Sequence, residues 1–206
     1  MKKASLFVCS LAAVFALAGC SSKGTEVSAE DFETKAKALE AHEYTGAVVK
    51  YDIDMTVKET GEEDESIKES GSLEFTWSQG EFEAETGDSE AKKEVANFLN
   101  DGLADYVQQF NKQAEQYKGT EGIDVSVKYY VDPLGVEVKI SGSGESEFEG
   151  MKEKASAKIE CYAEFNEYGY VVKLEESYDI KGEMKAGGQT YEFSTEGSVK
   201  VTVEYK

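Results

Sequence analysis

Few side chains in this chain of 206 residues could carry out chemistry. Cys20 is the one whose neighbours give it a task. It follows Leu17-Ala18-Gly19, at the end of an apolar run from Leu6 to Leu17 that is headed by Lys2 and Lys3. That layout reads as a targeting signal that ends in a cysteine. His42 is the only histidine, and no serine or cysteine stands at a triad or metal-cluster spacing from it. Its expected place is the end of a first helix, where its charge would suit the dipole. Cys161 falls on the apolar side of an alternating stretch, which points to a buried inert thiol rather than a nucleophile. Carboxylates are abundant, but a catalytic acid needs burial to tune its pKa. Nearly all of these acids alternate onto wet faces. There is no glycine-rich phosphate loop and no dinucleotide fingerprint. The residues therefore point away from an enzyme, and they call for no cofactor and no metal.

Leu17-Ala18-Gly19-Cys20 resembles the lipobox of bacterial lipoproteins. The resemblance implies cleavage before Cys20, a diacylglyceryl group on its thiol, and often an acylated amino terminus. The apolar run is about 12 residues, against roughly 20 needed to span a bilayer. Two or three acyl chains anchor stably where one is marginal. The implied organisation is a signal peptide over residues 1–19, a lipidated cysteine and flexible polar tether over 20–28, and one curved-sheet domain over 29–206. That domain would lie outside the cytoplasmic membrane, in the cell envelope, held to the membrane through Cys20.

Composition narrows the partners. Acids number 42 and basic residues 22, for a net charge of −20. Losing Lys2 and Lys3 with the signal takes it to about −22. Nucleic acid is excluded as a partner, because binding it needs a basic footprint. All the basic residues are lysine, so the planar fork that grips phosphates is absent. With Cys9 lost and Cys20 acylated, Cys161 has no disulfide partner within the chain. A monomer is expected.

The elements follow from periodicity. Ser28 and Asp31 form a capping pair before Phe32, Ala36 and Leu39, which predicts a first helix over about 29–42. From Gly46 the pattern alternates through Val57, with an acidic run at Gly61–Glu65. That run reads as a hairpin loop more readily than as a weak cation site. Leu73, Phe75 and Trp77 return, Ser78-Gln79-Gly80 turns, and Phe82 and Ala84 continue. A stripe of Val95, Leu99, Leu103, Tyr106, Phe110, Ala114 and Tyr117 predicts one amphipathic helix from Asp88 or Ser89 to about Lys118, with Gly102 as a bend. From Gly122 onward everything alternates as strands, broken by turns at Asp132–Gly135, Asn166–Gly169 and Gly187-Gly188. Gly71, Gly182 and Gly197 inside strand patterns suggest bends or bulges. The expected fold is α+β. About eight long strands form a strongly curved antiparallel sheet, a half-barrel wrapped on one long helix, with a short N-terminal helix beside it.

This order of elements resembles the unclosed-barrel lipoproteins of the LolA, LppX and LprG type. In that family the sheet curls around an apolar cavity and helices lid it. The resemblance implies an envelope lipoprotein that carries, presents or senses a lipid or other hydrophobic ligand. The candidates to line such a cavity are Phe75, Trp77, Phe82, Phe98, Leu103, Tyr106 and Phe110, which all project from dry faces. The alternative is a surface interaction or structural lipoprotein in which the same residues fill a core.

Overall fold

A computed structural model describes residues 23–83, 90–118, 121–148, 151–186 and 188–206. The expected cleavage site and Cys20 lie outside this range. So do Asp88 and Ser89 at the expected helix start, Ala84, Gly119 and Gly187. The strands are β1 (Thr25–Val27), β2 (Gly46–Glu59), β3 (Glu65–Ser78), β4 (Glu81–Glu83), β5 (Ile123–Val131), β6 (Leu134–Phe148), β7 (Met151–Phe165), β8 (Val171–Ala186) and β9 (Gln189–Tyr205). The helices are α1 (Ala29–Lys37), α2 (Glu90–Asn100) and α3 (Leu103–Tyr117).

The architecture corrects the expected one. All nine strands join one open antiparallel sheet, in the order β1-β5-β6-β7-β8-β9-β2-β3-β4. Among the described residues no helix exceeds 15 residues, and no single long helix runs along the sheet. The apolar stripe from Val95 to Tyr117 keeps its period, but the backbone leaves the helix at Asp101 and Gly102. Asn100 ends α2 by turning its amide to β4: Phe82 N–H donates to Asn100 Oδ1 at 2.7 Å, and Asn100 Nδ2 donates to Phe82 O at 2.9 Å. Gly102 then takes an extended conformation, and the Asp105 carboxylate accepts from its N–H at 3.2 Å, which starts α3 afresh. A stripe reports which face is dry, not whether the chain is continuous beneath it.

α1 starts as expected, with the Ser28 hydroxyl accepting from Asp31 N–H at 3.1 Å. It ends at Lys37, five residues before His42. His42 is therefore not at a helix terminus and stacks on Tyr168, ring centres 4.2 Å apart.

The two faces of the sheet differ in kind. Strand register puts Val49, Phe75, Val138, Cys161, Leu174 and Val201 on an inner face, which the helices cover at one end. α2 packs on β4, and α3 on β5 and β6. Phe75, Phe82, Leu99, Tyr106, Phe110 and Phe165 close that core. The outer face is charged, with cross-strand pairs such as Lys139–Glu160 at 3.1 Å and Lys68–Asp54. Among the described side chains, the strand lysines fall by register on the outer face: 50, 58, 68, 128, 139, 154, 158, 173, 181, 185 and 200. The expectation for acids holds less well. Glu137 and Glu175 are buried on the outer face, and Glu176 is buried on the inner one.

The hairpins β2–β3, β6–β7 and β8–β9 run past the helices at the other end of the sheet. There Gly71, Gly182 and Gly197 are not bulges, because the register passes through each without a shift. Each faces an aromatic residue on the neighbouring strand: Tyr51, Phe193 and Tyr178 respectively. A Cβ at Gly71 would stand 2.7 Å from the Tyr51 hydroxyl. The rings lie over the glycines and cover backbone that no helix reaches. The one register shift recorded in the sheet falls between Glu164 and Phe165.

Candidate functional site: a groove between α1 and α3

α1 and α3 lie side by side over β5, because each turns its apolar stripe onto that strand. Phe32 on α1 is buried and meets Tyr129 of β5, ring centres 5.2 Å apart. Tyr129 in turn donates its hydroxyl to Asn111 Oδ1 of α3 at 2.9 Å. Between the two helices runs an open groove of about 910 Å³. Its floor is apolar, with Phe32, Ala36, Leu103 and Val107, and exposed Ala104 stands on the wall. Its rim carries both signs of charge, with Glu33 and Lys37 on α1 and Lys112 and Glu115 on α3. That volume falls in the range of small-molecule sites, which are lined by apolar groups with a few polar ones for orientation.

Of the seven residues expected to line a cavity, Leu103 lines this groove. The others stand elsewhere. Phe75, Phe82, Tyr106 and Phe110 are buried in the core, and Trp77 and Phe98 pack against it. Their contacts are those of a filled interior. Trp77 meets Phe82 edge-on at 4.6 Å, and Tyr106 meets Phe98 and Phe165 at 5.5 Å. The Tyr106 hydroxyl donates to Phe98 O at 2.7 Å. Ala36, Val107 and Asn111 were missed as a site, because a groove between helices distant in sequence has no local signature.

A second feature concerns the start of the described chain, where part of the expected tether is held on the sheet. Lys23 ion-pairs with Glu137 on the outer face, and β1 then pairs with β5, Thr25 opposite Val131. Tyr130 donates its hydroxyl to the same carboxylate at 2.9 Å, and Lys139 lies 3.4 Å away. Burial alone would raise the Glu137 carboxyl; Lys23, Tyr130 and Lys139 together pull it below its ordinary value. Two residues, Ser21 and Ser22, stand between Cys20 and Lys23, so an acyl group on Cys20 would start within roughly 10 Å of Lys23.

Cys161 is 1% exposed, and burial with the nearby Glu176 carboxylate raises its thiol well above the usual range. Such a thiol is protonated and a poor nucleophile. Among the described residues no group of three or more ligating side chains could hold a metal ion, and no helix is long and apolar enough to cross a membrane. No protein-family model, curated protein or solved structure matches this chain, so its reading rests on its own residues.

Proposed function

We propose that this chain is a lipid-anchored protein of the cell envelope that holds a lipid-like or other hydrophobic ligand in the groove between α1 and α3. The anchor rests on the lipobox-like Leu17–Cys20. The ligand rests on one observation above all: a groove open to solvent and lined by Phe32, Ala36, Leu103 and Val107, with lysines on both rims. An acyl chain would cover the floor, and Lys37 or Lys112 would meet an acidic headgroup at the mouth. The tether supports this position, because Lys23 and β1 bring the membrane-proximal end of the chain to β5, the strand on which both helices lie.

The packed state of Phe75, Phe82, Tyr106 and Phe110 favours the alternative, an interaction lipoprotein with a filled core and no small ligand. One experiment separates the two. Purified protein is extracted with chloroform and methanol, and the extract is analysed by mass spectrometry. An environment-sensitive fatty-acid probe is then titrated into the stripped protein and into Ala104→Trp. Ala104 is exposed on the groove wall, so the indole fills the groove without entering the core. Saturable binding that Ala104→Trp abolishes at unchanged melting temperature is the expected result. No co-purified lipid, together with no saturable binding to the parent, would establish the alternative.

A further inference from the structure

The sheet ends in a free edge on the side opposite the tether. β4 pairs only with Thr76–Ser78 of β3. Among the described residues no strand pairs with the outward side of Glu65–Phe75. Every side chain from Glu65 to Ser72 is exposed, and Ile67 is 47% exposed. The register shows which backbone groups are open. Trp77 N–H donates to Thr45 O at 3.2 Å, and the same pairing continues through Ala47 opposite Phe75. Antiparallel pairs alternate, so the odd residues of β3 bond to β2. Ser66, Lys68, Ser70, Ser72 and Glu74 turn their N–H and C=O groups away from the sheet. That is a row of alternating donors and acceptors, the kind of template that an added strand completes.

The side chains beside that row state what the added strand must carry. On the inner face the edge presents Glu65, Ile67, Glu69, Gly71 and Leu73 in order. The inner face near the hairpin tip adds Glu59, and among the described side chains no strand lysine stands on that face by register. Side chains entering there need positive charge opposite Glu65 and Glu69 and apolar bulk opposite Ile67 and Leu73. The outer face presents Ser66, Lys68, Ser70 and Ser72, which suit small polar side chains. A second copy of this chain fits less well, because each carries a charge of −20 and would bring the same carboxylates to the seam.

We infer that the free edge of β3 docks an extended, basic segment of a partner protein as an additional antiparallel strand. This is independent of the groove. The edge stands six strands from β5, about 29 Å along the sheet from the tethered side, so a partner would reach it without meeting the membrane.

The register specifies a probe. The peptide Val-Thr-Thr-Thr-Lys-Thr-Val-Thr-Lys sets its first valine opposite Leu73 and its lysines opposite Glu69 and Glu65. Its control carries glutamate in place of both lysines. Each fluorescent peptide is titrated by anisotropy into the full chain in detergent micelles, with amide exchange followed along β3. The lysine peptide should bind saturably and slow exchange at Ser66, Lys68, Ser70 and Ser72. The control should bind at least about tenfold more weakly, since two cross-strand pairs turn from attraction to repulsion. The double variant Glu65→Lys, Glu69→Lys should reverse that preference. Ser70→Pro removes one outward N–H where an edge strand tolerates proline, and it should lose binding with its circular dichroism unchanged. A peptide N-methylated at alternate residues tests the same ladder on the unaltered protein and should not bind. Equal binding of the two peptides, binding of the N-methylated one, or unchanged exchange at the four amides would overturn the proposal. So would a dimer in the absence of peptide that is lost in Ser70→Pro, which would assign the edge to a second copy.

Discussion

Glu176 offers a test of how burial sets stability in this sheet. It is 4% exposed on the inner face, opposite Cys161 on β7 and Val199 on β9. It accepts a hydrogen bond from the Cys161 thiol, 2.9 Å from Oε1. Tyr178, two residues along the same face, has a buried hydroxyl with no partner among the described residues. Burial pushes the Glu176 carboxyl up from 4.5 to about 8, and the thiol hydrogen bond only partly offsets this. The native state therefore keeps a proton that the unfolded chain gives up above pH 4.5. Between these values the native state binds more protons, so stability falls as pH rises, and above about pH 8 the loss is complete. At pH 7 the penalty is about 3 kcal/mol, taking roughly 1.4 kcal/mol for each pH unit above 4.5. Glu176→Gln keeps the shape and an oxygen to accept from Cys161 but cannot ionise. Urea unfolding of both proteins at pH 5, 6, 7 and 8 measures the difference. The variant should match the parent to within about 1 kcal/mol at pH 5 and exceed it by about 3 kcal/mol at pH 7. A gap that does not change with pH, or a variant less stable at pH 7, would refute the reasoning.

Two further outcomes are expected. Cells fed a clickable fatty acid should label the parent protein and not Cys20→Ala; equal labelling of the two would remove the basis for the membrane anchor. Asn100→Ala should destabilise the protein by about 1–3 kcal/mol, because it orphans the Phe82 N–H and C=O that its amide now holds. A melting temperature unchanged by that substitution would show that the end of α2 does not depend on its hold on β4.

What could be read from the amino-acid order were features set within a few residues. Alternation located β2 from Gly46, β5 from Ile123 and the long strands that follow, because side chains of a strand must divide between two faces. The Ser28–Asp31 pair announced α1, and Ser78-Gln79-Gly80 announced a turn, where Gln79 and Gly80 both take positive φ. Cys161 on a dry face was legible for the same reason. Three things belonged to the tertiary structure alone. The break between α2 and α3 depends on Asn100 meeting Phe82, a contact across 18 residues that outweighs an unbroken apolar stripe. Glu176 shares the parity of Leu174 and Tyr178, an acid out of place in a dry series, and only the pairing of β8 with β7 and β9 buries it to 4% exposure. The groove and the free edge of β3 depend on which elements become neighbours. β9 closes on β2 and leaves β3 outermost, while α1 and α3, 65 residues apart from Lys37 to Leu103, meet over β5. Local chemistry chooses the conformation of each segment, but neighbours distant in the chain are chosen by the burial of whole faces, and no single segment of sequence carries that information.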